Sequence, residues 1–132
     1  MPITYEVLPY EGVIRESWHG DITMGVLRGH WNSLLRDEQC LRLGKSLADL
    51  RQATLLVSDQ QLETAIREVA IPLLQGREWI SAIVVQRSVQ LRLASRYHSL
   101  AALFSRDTVF SQLDEAERWL LKQEHRSPKP AA

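Results

Sequence analysis

The run Trp79-Ile80-Ser81-Ala82-Ile83-Val84-Val85 is apolar on both sides of an extended chain, and no other stretch restricts the fold as strongly. Successive side chains of a strand point to opposite faces. Neither Trp79, Ser81, Ile83 and Val85 nor Ile80, Ala82 and Val84 therefore forms a face built for water. Such a strand belongs in the interior of a parallel sheet with both faces covered. The chain must supply that cover from its own helices or from a second copy.

The remaining elements can be placed around this strand. Ile3, Tyr5 and Val7 alternate with Thr4 and Glu6, the period of a strand with one buried face. Pro9 to Gly12 make a turn too short for a crossover, so the strand Val13 to Trp18 must run antiparallel to the first. His19-Gly20-Asp21 breaks it. Met24, Leu27, Trp31, Leu34 and Leu35 then recur at helical spacing, which predicts a helix from Met24 to Arg36 with Thr23 or Asp21 at its N-cap. Gly25 and Gly29 lie inside it, each costing about 1 kcal/mol relative to alanine, which implies a close neighbour at both positions. Asp37 to Gly44 reads as a loop, Ser46 to Leu50 as the third strand and Arg51 to Val57 as a loop. Ser58 with Gln61 forms a capping box, opening a helix whose buried stripe is Leu62, Ile66, Val69 and Leu73. Pro72 should end or kink it near Ile71, before Gly76. After the apolar strand, Ser88 is expected to cap a helix through Leu93, Tyr97, Leu100 and Phe104. Thr108 to Phe110 form a last strand, and Ser111 with Asp114 opens a final helix through Leu113, Ala116, Trp119 and Leu120.

The order ββαβαβαβα specifies an α/β domain with a mostly parallel five-stranded sheet and an antiparallel first strand. One domain is expected over residues 1–124, with 125–132 as a disordered tail. That order, the strand end Leu47-Ala48-Asp49-Leu50-Arg51, the serine-capped helix at Ser58 and the closing segment Val109 to Ala116 together resemble the STAS-like fold of anti-sigma-factor antagonists and their small bacterial relatives. The resemblance implies a regulatory protein-interaction module. It also makes Ser58 the position matching the family's phosphoacceptor serine. The family's Asp-Ser-Ser or Asp-Ser-Thr followed by glycine is replaced here by Val57-Ser58-Asp59, and the Asp59 carboxylate disfavours a dianionic phosphate alongside.

Open α/β sheets bind ligands at the carboxyl ends of their strands, so Asp49, Arg51, Thr54, Ser58, Gln86, Arg87 and Ser88 form the candidate edge. Asp49 also has a purely structural reading, a local pair with Arg51 or Arg87. Arg92 and Arg96, one turn apart, could contact an anion; as plain helix surface they would meet the acidic last helix. Phosphate-cradling glycine motifs, a nucleophile elbow and histidine pairs at metal spacing are all absent from the sequence, so neither an enzyme nor a metal or cofactor site is expected. Sixteen basic residues balance sixteen acidic ones, which argues against nucleic acid as a partner and leaves little repulsion between copies. The single Cys40 fits a reducing cytoplasm, and no apolar run reaches the roughly 20 residues of a membrane span. Expected partners are therefore a protein or a second copy. A homodimer would cover whichever face of the apolar strand the helices leave open. The alternative function is a binding protein that holds a small apolar or anionic molecule, or a lipid, between helices and sheet.

Overall fold

The computed structural model describes residues 1–125. Strands β1 (Ile3–Leu8), β2 (Val13–Ile22), β3 (Lys45–Leu55), β4 (Trp79–Val84) and β5 (Ser105–Phe110) form one sheet in chain order. The first pair is antiparallel and the rest are parallel, as the hairpin turn and the crossover lengths required. The helices are α1 (Met24–Arg36), α2 (Glu38–Leu43), α3 (Asp59–Ala65), α4 (Ile71–Leu74), α5 (Ser88–Leu100) and α6 (Leu113–Leu121). Residues 126–132 of the expected tail lie outside the described residues. His125, counted with that tail, donates from Nε2 to the Leu43 carbonyl at 2.8 Å.

Every side chain of β4 is buried, Trp79 included. Its two faces meet different helices. Ser81, Ile83 and Val85 point to the side carrying α1, α3 and α5, whereas Ile80, Ala82 and Val84 pack with Ala116 and Leu120 of α6. Right-handed crossovers send the connecting helices to one face, and α6, which no strand follows among the described residues, is free to close the other. This removes the ground for a homodimer, because the apolar part of the second face is covered from within. What α6 leaves open over β1 and β2 is polar: Thr4, Glu6, Arg15 and Ser17 are exposed there. The arginines of α5 accordingly do not meet the acidic α6. Glu117 pairs with Arg15 of β2, Arg92 with Asp59 and Arg106 with Glu78.

Several local expectations are corrected. The segment read as a loop contains α2, because Asp37 Oδ1 accepts the Gln39 and Cys40 N–H groups and Gly44, at φ 57°, closes the turn. β3 does not stop at Leu50 but continues to Leu55, paired with β2 alone. The helix from Ser58 runs on past Pro72 through a π-helical turn, Ile66–Ala70, in which the Ile71 N–H reaches the Ile66 carbonyl. That wider turn makes room for a proline ring that would otherwise crowd the residue four before it. The extra residue also advances the phase by one, so Leu74 faces inward where Leu73 was expected. The caps of α5 and α6 fall one residue from prediction, at Arg87 and Gln112 rather than Ser88 and Ser111.

Gly25 and Gly29 have no close neighbour after all. A methyl group at Gly25 would meet only Thr23 Oγ1 at 3.9 Å, and one at Gly29 would meet nothing within 4 Å. Gly29 is exposed, in the interior of α1. Gly29→Ala is therefore expected to stabilise the protein by up to about 1 kcal/mol in urea unfolding, with an unchanged slope.

Candidate functional site

The site is built around one extra residue in β3. Ser17 pairs with Asp49 but His19 pairs with Gln52, so two steps along β2 match three along β3. Such a bulge reverses the alternation of side chains. Leu50 and Ala53, three residues apart, are both buried in the same cluster. It also frees backbone groups that need new partners. Asp49 Oδ1 accepts the Arg51 backbone N–H at 3.1 Å, while Arg51 returns a two-pronged contact, Nε to Oδ1 at 3.0 Å and Nη2 to Oδ2 at 2.9 Å. Partial burial works to raise the Asp49 carboxyl, but the hydrogen bonds and charge of Arg51 outweigh it and hold the group below its ordinary value. Asp49 thus pairs with Arg51, the structural reading, and not with Arg87.

Gln90, on α5 and 1 % exposed, ties the bulge to the next corner of the chain. Its Nε2 donates to the carbonyls of Leu50 at 2.7 Å and Ala53 at 2.9 Å. Its Oε1 accepts the N–H groups of Gln86 at 2.7 Å and Arg87 at 3.0 Å. One side chain therefore fixes the ends of β3 and β4 relative to each other. Ser58 begins α3 beside them: its Oγ accepts the Gln61 N–H at 3.1 Å and the Gln61 Oε1 accepts the Ser58 N–H at 3.0 Å, the expected capping box.

The candidate residues do not converge on one point. Asp49 and Arg51 lie on the α6 side of the sheet, whereas Ser58 opens a helix on the opposite side. Thr54, Ser58, Gln86, Arg87 and Ser88 are exposed along the edge itself. Arg92 is held by Asp59 at 2.9 Å, and Arg96, also exposed, makes no ion pair among the described residues. Among the described residues no group of three histidine, cysteine or acidic side chains could hold a metal ion. No helix among them is long and apolar enough to cross a membrane.

Two solved structures share this architecture. An uncharacterised protein of the DUF3478 family from Shewanella loihica, described as having a SpoIIAA-like fold, superposes with a TM-score of 0.57 at 19% identity, covering 89% of this chain and 91% of its own. An anti-sigma factor antagonist from Mycobacterium paratuberculosis gives 0.54 at 21% identity, over 89% and 93%. The fold is SpoIIAA-like. No protein-family model matches the sequence, and no curated protein sequence matches it.

Within this SpoIIAA-like frame lies a second polar cluster that the sequence reading passed over. Glu16 of β2 is 4 % exposed, and its Oε1 stands 2.5 Å from His30 Nε2 and 3.1 Å from Trp18 Nε1. Burial alone would raise this carboxyl, but the charge and hydrogen bond of His30 and the hydrogen bonds of Ser46 and Trp18 hold it below its ordinary value. The signal was available: Glu16 shares its parity with Ile14 and Trp18, and His30 falls between Leu27 and Leu34 on the buried stripe of α1. Gln90 carried no such signal, since its role depends on a bulge in a distant strand.

Two outcomes are expected. Gln90→Leu leaves two carbonyls and two N–H groups without their partner, so chemical unfolding should show a loss of about 3 kcal/mol or more. Because the folded-state pKa of Glu16 is depressed, its stabilisation is present above the unfolded value of 4.5 and is lost as pH falls through the folded pKa. Glu16→Gln should therefore be less stable than the parent at pH 7, and the gap between the two should shrink in acid below 4.5. A gap that stays constant down to acid unfolding would contradict this.

Proposed function

We propose that the chain is a non-enzymatic regulatory module that acts by binding another protein through the edge carrying Thr54, Ser58, Arg87 and Ser88. The observation that carries this reading is the edge's construction on a fold shared with an anti-sigma factor antagonist. Gln90 holds its two corners rigid from beneath, while Leu56 and Val89, each about half exposed, stand among its polar groups. A rigid, mixed apolar and polar surface suits protein recognition, because little ordering entropy is lost on docking. The edge residues supply no nucleophile and base within hydrogen-bonding distance of each other, as acyl or phosphoryl transfer would need.

Ser58 belongs to this reading as the phosphoacceptor. Its hydroxyl lies at an exposed corner, and Arg92, now on Asp59, is one residue away from where a phosphate would stand. A phosphate there would add charge at the centre of the docking edge and compete with Asp59 for Arg92. The buried, unpaired Cys40 is compatible with a reducing cytoplasm as the setting.

The test is affinity capture from the native host with three proteins: the parent, a Leu56→Asp/Val89→Asp variant, and a Glu115→Lys control on exposed α6. A partner that binds the parent and the control saturably, and the edge variant at least tenfold more weakly, is the expected result. Equal capture by all three would place the contact elsewhere. Saturable hydrolase or transferase activity abolished by Asp49→Asn would overturn the non-enzymatic reading.

A further inference from the structure

Between the sheet and the helices of its first face lies a chamber of about 100 Å³. The helical segment α3, π turn and α4 packs mainly on α1 and α5 rather than on the strands, so it forms a roof with the chamber beneath. Leu62, Ala70 and Leu74 line the roof. Trp31 of α1 and Tyr97 of α5 close one side, their rings 6.0 Å apart. The roof contains a π-helical turn, a feature that recurs at functional sites.

The floor is not inert. Ser46, Ser81 and Glu16 open onto it, all of them buried. Ser46 Oγ accepts Trp79 Nε1–H at 3.0 Å and lies 3.4 Å from Ser81 Oγ. Either hydroxyl can donate across the serine pair. Whichever does, the Ser81 oxygen keeps at least one lone pair, facing a chamber whose other polar floor group, the Glu16 carboxylate, only accepts.

We infer that this chamber is a binding site for a small neutral molecule with a compact apolar body, a single ring or branched chain, and one hydroxyl or N–H that donates to Ser81 Oγ. Size bounds the body at one small ring or branched chain, since a dry cavity of about 150 Å³ admits benzene and this one, about 100 Å³, is smaller. Floor chemistry sets the head group. A carboxylate or phosphate would be buried beside the Glu16 carboxylate, so the anionic ligand considered from the sequence does not belong here. The inference is independent of the interaction edge, which lies outside the chamber.

The test uses three probes of similar size and observes the chamber-lining amides by two-dimensional NMR of the isotope-labelled chain. Phenol can donate, toluene cannot, and benzoate is anionic. Phenol should shift the amides of Ser81, Leu93 and Ala94 saturably in the millimolar range, toluene should bind about tenfold more weakly, and benzoate should leave them unmoved. Ser81→Ala should bring phenol down to the level of toluene and leave toluene unchanged. Ala94→Leu, which fills the chamber, should abolish both. If that variant does not fold, nuclear Overhauser contacts from phenol to the methyl groups of Ile83 and Leu93 in the parent protein decide the matter. Absent contacts, benzoate binding as well as phenol, or phenol binding undiminished by Ser81→Ala would each overturn the assignment.

Discussion

The extra residue that β3 carries between Asp49 and Gln52 is the constraint on which the arrangement of the sheet's upper edge rests. Without it, the alternation that buries Ala48 and Leu50 would continue through Gln52 and Thr54 and put polar side chains into the core. With it, Ala53 and Val57 return to the apolar cluster, and β3 can leave β4 while staying paired to β2. A bulge leaves carbonyls without ladder partners, and a buried carbonyl without a partner costs about 1–3 kcal/mol. Gln90 satisfies two of them and, with its other amide end, anchors the corner between β4 and α5. Asp49 and Arg51, the most conspicuous charged pair at this edge, stabilise the bulge locally and from the other side of the sheet.

A second dependence runs through β4. Because all its side chains are buried, both sheet faces must be covered, and the two covers differ in kind. α6 lies directly against Leu47, Ile80, Ala82 and Val84. On the other face the helical roof stands on α1 and α5, which leaves the chamber. The buried Glu16, His30 and serine network at its floor adds desolvation cost that only hydrogen bonds among those groups offset.

The rigid edge and the roofed chamber are linked by α3. Its first turn is capped at the edge by Ser58, and its continuation through the π turn lines the chamber with Ala70 and Leu74. The few residues between the capping box and the π turn belong to both. Pro72 keeps that linkage in place, because without a donor it cannot let the π turn relax into a regular α-helix.

Alternation of apolar residues along β1 and β2, the doubly apolar β4, the capping box at Ser58 and the length of each connection were enough to determine the α/β class, the strand order and the antiparallel first strand. These are local patterns, and the rules of handedness and chain length turn them into one topology. The burial of Glu16 and His30 was also written in their positions, though it needed their neighbours' parity to be read. Tertiary structure alone decided the rest. The extension of β3 depends on Gln90, forty residues away from Leu50, the phase shift before Leu74 depends on how the chain accommodates Pro72, and α6 covers the second face because no strand follows it among the described residues. The edge residues lie near the strand ends but are split between two faces of the sheet, since a one-residue bulge reverses side-chain direction and leaves no mark on composition or spacing.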